Sequence, residues 1–170
     1  TKDDATKTIT VTGFDKDTAF DLGGVYRICI SFDDEALKTY KVVIADNAFK
    51  DNNYISEVYV GSQVVSIGEK AFANTSNLTK FIVSDGGLEE IKTRAFENAG
   101  CVVNGETITV NENIKKNGIK FVLPLAKMKN IEPYAFKTKG IFVFTATESE
   151  GNEDNPRKLT AAAKAGEYFF

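Results

Sequence analysis

Histidine and tryptophan are absent from this 170-residue sequence, which also holds only two cysteines, one methionine and three prolines. Without imidazole there is no Ser-His-Asp or Cys-His nucleophile pair and no histidine-based metal site. Two thiols are too few for a four-thiolate zinc or iron–sulfur centre. No stretch approaches the ~20 consecutive apolar residues of a membrane-spanning helix. The missing tryptophan weakens a carbohydrate-stacking platform and leaves Tyr54 and Tyr59 as the candidates for one.

What is present suits one globular domain with a real core: 42% of the residues are hydrophobic and 26% charged. The net charge of −3 argues against nucleic acid as the main partner, since its binders carry a basic excess. The charge is unevenly spread. Residues 1–36 carry eight acids and four bases, whereas residues 114–144 carry seven lysines against Glu132 alone. A solvated polar surface accounts for this. The sharper reading is a site for an anionic polymer or an acidic protein face, built from Lys115, Lys116, Lys127, Lys129, Lys137 and Lys139. Cys29 lies opposite the apolar face Tyr26, Ile28, Ile30 and Phe32, and both a disulfide with Cys101 and two free thiols stay open. The chain begins at Thr1, and a signal segment is expected to have been removed ahead of it.

A repeat organises the middle of the chain. Ile-x-x-x-Ala-Phe recurs as Ile44…Ala48-Phe49, Ile67…Ala71-Phe72, Ile91…Ala95-Phe96 and Ile131…Ala135-Phe136, with successive phenylalanines 23, 24 and 40 residues apart. Six residues after each Phe an apolar residue returns (Ile55, Leu78, Val102, Phe142), and alternating strands follow at Val58-Tyr59-Val60 and Phe81-Ile82-Val83. The longest interval reads as one unit plus an insertion of about sixteen residues near 103–118. Glu106–Val110 followed by Asn111-Glu112-Asn113 makes that insertion a predicted hairpin or ribbon.

A period of 23–24 is too short for a βα unit with a full helix. It predicts a coil that makes one circuit per repeat, with Ile, Ala, Phe and the outer strand residues stacked on their equivalents in the next circuit. Ala lets a short helical turn pack closely while the Phe ring fills the interior. The predicted fold is a β-rich solenoid of about four repeats: a parallel strand ladder with short helical turns, compact as a single domain. Residues 1–36 are expected to form an antiparallel N-terminal β cap, 37–147 the solenoid and 148–170 a C-terminal cap. The last part includes a strand at Ile141–Phe144, an acidic loop at Glu148–Pro156, a helix-prone tail at Leu159–Ala165, and Tyr168-Phe169-Phe170 docking back.

The units Val65-Ser66-Ile67-Gly68-Glu69-Lys70-Ala71-Phe72 and Leu88-Glu89-Glu90-Ile91-Lys92-Thr93-Arg94-Ala95-Phe96 resemble BspA-type leucine-rich repeats, over roughly residues 40–144. The resemblance implies a right-handed leucine-rich-repeat solenoid of the kind found in surface and secreted proteins of bacteria and some parasitic protists. It implies an extracellular or cell-surface place and adhesion-like, non-catalytic binding of a protein or surface glycan. It carries over no catalytic residue and no cofactor. Only Gly68 supplies the family's glycine, with Ala45, Lys92 and Glu132 at its equivalents. Asn52, Thr75, Ala99 and Lys139 replace a cysteine often found three residues after Phe.

If Val58/Val60, Phe81/Val83 and Phe121/Leu123 point inward, Tyr59, Ile82 and Val122 form an apolar column on the opposite face, flanked by Glu57, Lys80 and Lys120. These six are the candidate ligand-binding residues. The competing expectation is that the inserted hairpin or the N-terminal sheet covers the column. Glu89-Glu90, Asp33-Asp34-Glu35 and Glu153-Asp154 are neighbours in turns rather than acids facing across a cleft. Asp15-Lys16-Asp17 and Asp51-Asn52-Asn53 lack the calcium loop of about twelve residues with its distal Glu. Asn74-Thr75-Ser76 and Asn77-Leu78-Thr79 are glycosylation sequons that matter only in a eukaryotic secretory host. The combined reading is a monomeric recognition module without catalytic residue, metal or cofactor. Capture of an anionic polymer by residues 115–139, and a purely structural role in a larger surface protein, are the alternatives.

Overall fold

The computed structural model describes residues 1–13, 26–83, 87–124 and 128–138, together with the backbone of 142–146 and 158–159. Short apolar-polar alternations place this chain on two strand walls. Lys2–Asp3 (β1), Thr8–Val11 (β2), Lys41–Ile44 (β4), Val64–Ile67 (β6), Glu90–Ile91 (β8) and Asn130–Ile131 (β12) form the first sheet, in that order. Tyr26–Ile30 (β3), Ile55–Val60 (β5), Lys80–Val83 (β7), Ile119–Leu123 (β11), Phe142–Ala146 (β13) and Lys158–Leu159 (β14) form the second. All pairings in the first sheet are parallel except β1 with β2, and all in the second except β13 with β14. The register stacks like on like: Val11, Ile44, Ile67, Ile91 and Ile131 form one file, and Ile28, Val58, Phe81 and Phe121 another.

The core lies between the walls. Phe49, Phe72, Phe96 and Phe136 stack in a row, with centroids 5.0, 5.4 and 5.1 Å apart and planes within 13°. Phe81 and Phe121 meet this row edge-on at 4.9–5.2 Å. Offset-stacked and edge-to-face pairs are the arrangements a ring quadrupole favours. The expected stacking of the repeated Ile, Ala and Phe is what the coil contains.

Two expectations are corrected. Residues 1–36 do not make an antiparallel cap, because β2 runs parallel to β4 and β3 parallel to β5. Their strands β2 and β3 instead add one rung to each wall, so each sheet holds five parallel strands among the described residues. At this end of the first sheet β1 closes the edge antiparallel. The Ala-Phe segments are not short helical turns either. Asn47 and Asp51 are left-handed (φ 60° and 59°), as are Lys70 and Asn74, and Arg94 and Asn98. These positions break a helix, and alternate N–H groups reach the next circuit instead. Asn47, Phe49 and Asp51 donate to the carbonyls of Glu69, Ala71 and Ala73 at 2.7–2.9 Å, and Phe96 and Asn98 donate to those of Ala135 and Lys137 at 2.8 Å. A third wall of turns results, fastened by Asn74 Nδ2 to Asp51 Oδ1 (2.6 Å) and Asn98 Nδ2 to Asn74 Oδ1 (3.2 Å).

The insertion is a hairpin, Cys101–Asn104 (β9) and Thr107–Val110 (β10), followed by a helix at Glu112–Asn117 (α1) that had read as a polar turn. The hairpin begins at Cys101, ahead of the expected start of the insertion near 103, and Val102 is 40% exposed while Cys101 is buried. Ile114 of α1 fills the interior beside Gly100 and Ile119. Asn111 caps α1 by accepting the Asn113 N–H (3.0 Å), and its amide donates to Asn77 Oδ1 (2.9 Å) and the Ser76 carbonyl (3.0 Å). Cys29 and Cys101 are free thiols, one exposed and one buried. No helix among the described residues is long and apolar enough to cross a membrane. The loop Glu148–Pro156 and the tail from Thr160 onward lie outside the described residues.

Candidate binding face

The outward residues of the second sheet fall into two parallel files. Arg27, Glu57, Lys80 and Lys120 are in register, and two residues further along each strand so are Cys29, Tyr59, Ile82 and Val122. The six candidate residues therefore share one face. Strand β3 lengthens that face edgewise rather than lying over it. Tyr59, Ile82 and Val122 are half-buried, which suits a flat ladder whose side chains shield one another's flanks at about 4.8 Å spacing. Arg27 and Cys29 were missed as members of these files because residues 26–32 read as a cap. The match of Arg27-Ile28-Cys29-Ile30 to Glu57-Val58-Tyr59-Val60 was the signal, obscured by a 30-residue offset in a chain of 23–24-residue repeats.

Glu57 is the centre of the charged file. Its Oε2 receives Arg27 Nε at 2.8 Å and the Tyr59 hydroxyl at 3.0 Å, and its Oε1 receives Lys80 Nζ at 3.1 Å. The hydrogen bond from Lys80 comes first in holding the Glu57 carboxyl below the ordinary range, outweighing the opposing effect of burial; Tyr59 and Arg27 add to it. The same bond raises the Lys80 ammonium. The Arg27 guanidinium lies 5.2 Å from the Tyr59 ring centroid. Lys120 is exposed and has no ion pair among the described residues. Charge along these four positions is thus balanced in the middle and cationic at Arg27 and at Lys120, beyond which the register continues to Val143 of β13.

The lysine-rich segment is placed differently. One circuit of the coil passes through both strand walls and the turn wall, so lysines close in sequence are dealt around its perimeter. Lys115 pairs with Glu112 on α1 (2.5 Å), Lys129 with Glu89 before β12 (2.7 Å), and Lys137 lies 5.4 Å from the Tyr134 ring centroid in the turn wall. Lys116 is exposed on α1, and Lys127 and Lys139 lie outside the described residues. Glu89 is held below the ordinary carboxylate range chiefly by the bond from Lys129, and Glu90 accepts the Ser66 hydroxyl at 3.0 Å. In the segment weighed for calcium, Asn52 Oδ1 accepts the N–H groups of Tyr54 and Ile55, and Asp51 accepts Asn74; these oxygens serve turns.

The family description that matches the chain is that of a BspA type leucine-rich repeat region (6 copies), over residues 42–137. No curated protein and no solved structure matches. The match spans more than half of the sequence and coincides with the circuits from β4 to the last Ala-Phe turn. With two mostly parallel walls and a row of stacked phenylalanines in the same interval, this chain belongs to the BspA-type leucine-rich repeat family.

Proposed function

We propose that this chain is a non-catalytic recognition module, secreted or displayed at a cell surface, which binds a protein or a surface glycan in an adhesion-like manner through the outer face of the second sheet. The observation that carries the reading is the in-register column Tyr59–Ile82–Val122 beside Glu57, Lys80 and Lys120. A hydrogen-bonded ladder holds these side chains at fixed spacing, so little ordering entropy is lost when a partner docks. Membership of a repeat family suited to surface binding supports the same conclusion.

The test uses beads coated with the full chain or with a Tyr59→Ala, Ile82→Ser double variant, washed over arrays of defined glycans and immobilised random peptides. Wild-type beads are expected to be retained on some spots, and the variant to lose that retention at least tenfold while its melting curve stays close to wild type. Equal retention by two folded proteins overturns the reading.

A further inference from the structure

We infer that the occupant of this face is an acidic, extended peptide segment and not a glycan, an inference that rests on the reading just given and narrows it. Tyr59 is the aromatic residue of the column, and it is already engaged. Its hydroxyl donates to Glu57 at 3.0 Å and the Arg27 guanidinium sits 5.2 Å from its ring centroid. A sugar needs an open ring to stack on and polar groups free to meet its hydroxyls. Ile82 and Val122 offer neither, whereas they suit an aliphatic side chain.

The charges point the same way. Three cations stand in file with a single carboxylate, and that carboxylate has both oxygens taken by Arg27, Tyr59 and Lys80. Arg27 bonds through Nε and remains 66% exposed, and Lys120 stands exposed three strands away, before Val143 of β13 in the same register. The whole chain is acidic, at −3, so this basic file is a local feature and not a general attraction for anions. Arg27 and Lys120 are three strand steps apart, about 14 Å. An extended peptide advances ~3.3 Å per residue, so carboxylates four residues apart span about 13 Å. The segment that fits carries two acidic residues at that separation with an aliphatic residue between them.

The experiment is selection of phage-displayed random dodecapeptides on the immobilised full chain, in parallel with Lys120→Glu and Ile82→Ser variants whose folding is checked by circular dichroism. Synthetic copies of enriched peptides, together with cellohexaose as a neutral glycan probe, are then titrated by calorimetry. The expected result is enrichment of acid–aliphatic–acid peptides on wild type whose affinity falls at least tenfold on Lys120→Glu and on Ile82→Ser, with no heat from cellohexaose. Enriched peptides that lack acids and bind Lys120→Glu normally, but lose binding on Ile82→Ser, overturn the acidic occupant and leave the strand-face reading standing. So does cellohexaose binding that Ile82→Ser abolishes. Peptides that bind all three proteins alike, or no enrichment on any, overturn both.

Discussion

Oδ1 of Asp46 lies 2.6 Å from where a Cβ on Gly68 would stand, and from there it accepts the Glu69 N–H at 2.8 Å. The backbone of Ala45 and Asp46 comes equally close, at 2.5–2.6 Å. Gly68 is required here by close approach between circuits, not by an unusual φ. Gly68→Ala is expected to destabilise by about 1–3 kcal/mol, the usual range for overpacking. Asp46→Ala combined with it restores little, because backbone atoms still block the site. Urea unfolding of the two variants checks this, and a neutral Gly68→Ala contradicts it.

Phe96 touches four rings, Phe72, Phe81, Phe121 and Phe136, whereas Phe49 stacks on Phe72 alone among the described residues. Phe96→Ala is expected to cost about 3–5 kcal/mol, and Phe49→Ala clearly less. Equal losses in denaturant melts contradict a core that is tightest at its middle circuits.

Glu57 has a carboxyl held low in the folded chain, so its contribution to stability is present above the ordinary glutamate range and is lost as pH falls through the depressed folded value. Glu57→Gln is therefore expected to lower stability at neutral pH but to flatten the acid limb of the stability curve. The Lys80 partner, with its ammonium raised, loses its share only on the alkaline side. The effect is modest because Lys80 and Arg27 are partly solvated. Melting temperature against pH for the two proteins reads it out, and parallel acid limbs contradict it.

Asn111 both caps α1 and, through its amide, ties it to Asn77 and the Ser76 carbonyl. Asn111→Ala is expected to cost about 1–2 kcal/mol as a lost cap. Asn111→Asp preserves the cap but sets a carboxylate oxygen against the Ser76 carbonyl and Asn77 Oδ1, so it is expected to be no better than alanine. If Asp restores full stability in a thermal melt, the amide bonds to Asn77 and Ser76 contribute nothing.

Much of the architecture was legible because the repeated residues are the packing itself. Phe49, Phe72 and Phe96 recur at 23 and 24 residues since each must meet its counterpart one circuit away, and Phe136 keeps its place in the row although the insertion stretches its interval to 40. The parallel pairing of β2 and β3 was not legible. These strands lack the Ile-x-x-x-Ala-Phe signature, and an alternating run such as Tyr26–Ile30 reads the same in a parallel or an antiparallel sheet. The turns misled for a different reason: Ala-Phe with Lys and Glu nearby has helical propensity, but inter-circuit hydrogen bonds and left-handed Asn47, Asp51 and Asn74 override it. On the candidate face the period of two correctly placed Tyr59, Ile82 and Val122 side by side. Their union with Arg27 through Glu57 joins residues 30 apart and needed the fold to be seen.

The hairpin leaves the wall at Gly100 and the chain re-enters at Asn111, whose N–H donates to the Gly100 carbonyl at 2.9 Å. Departure and return are thus clasped at a single point, and the pitch of the coil does not register how much polypeptide is looped out between them. That clasp makes the position a natural graft point: a foreign loop spliced there would ride on the outside of an intact spiral.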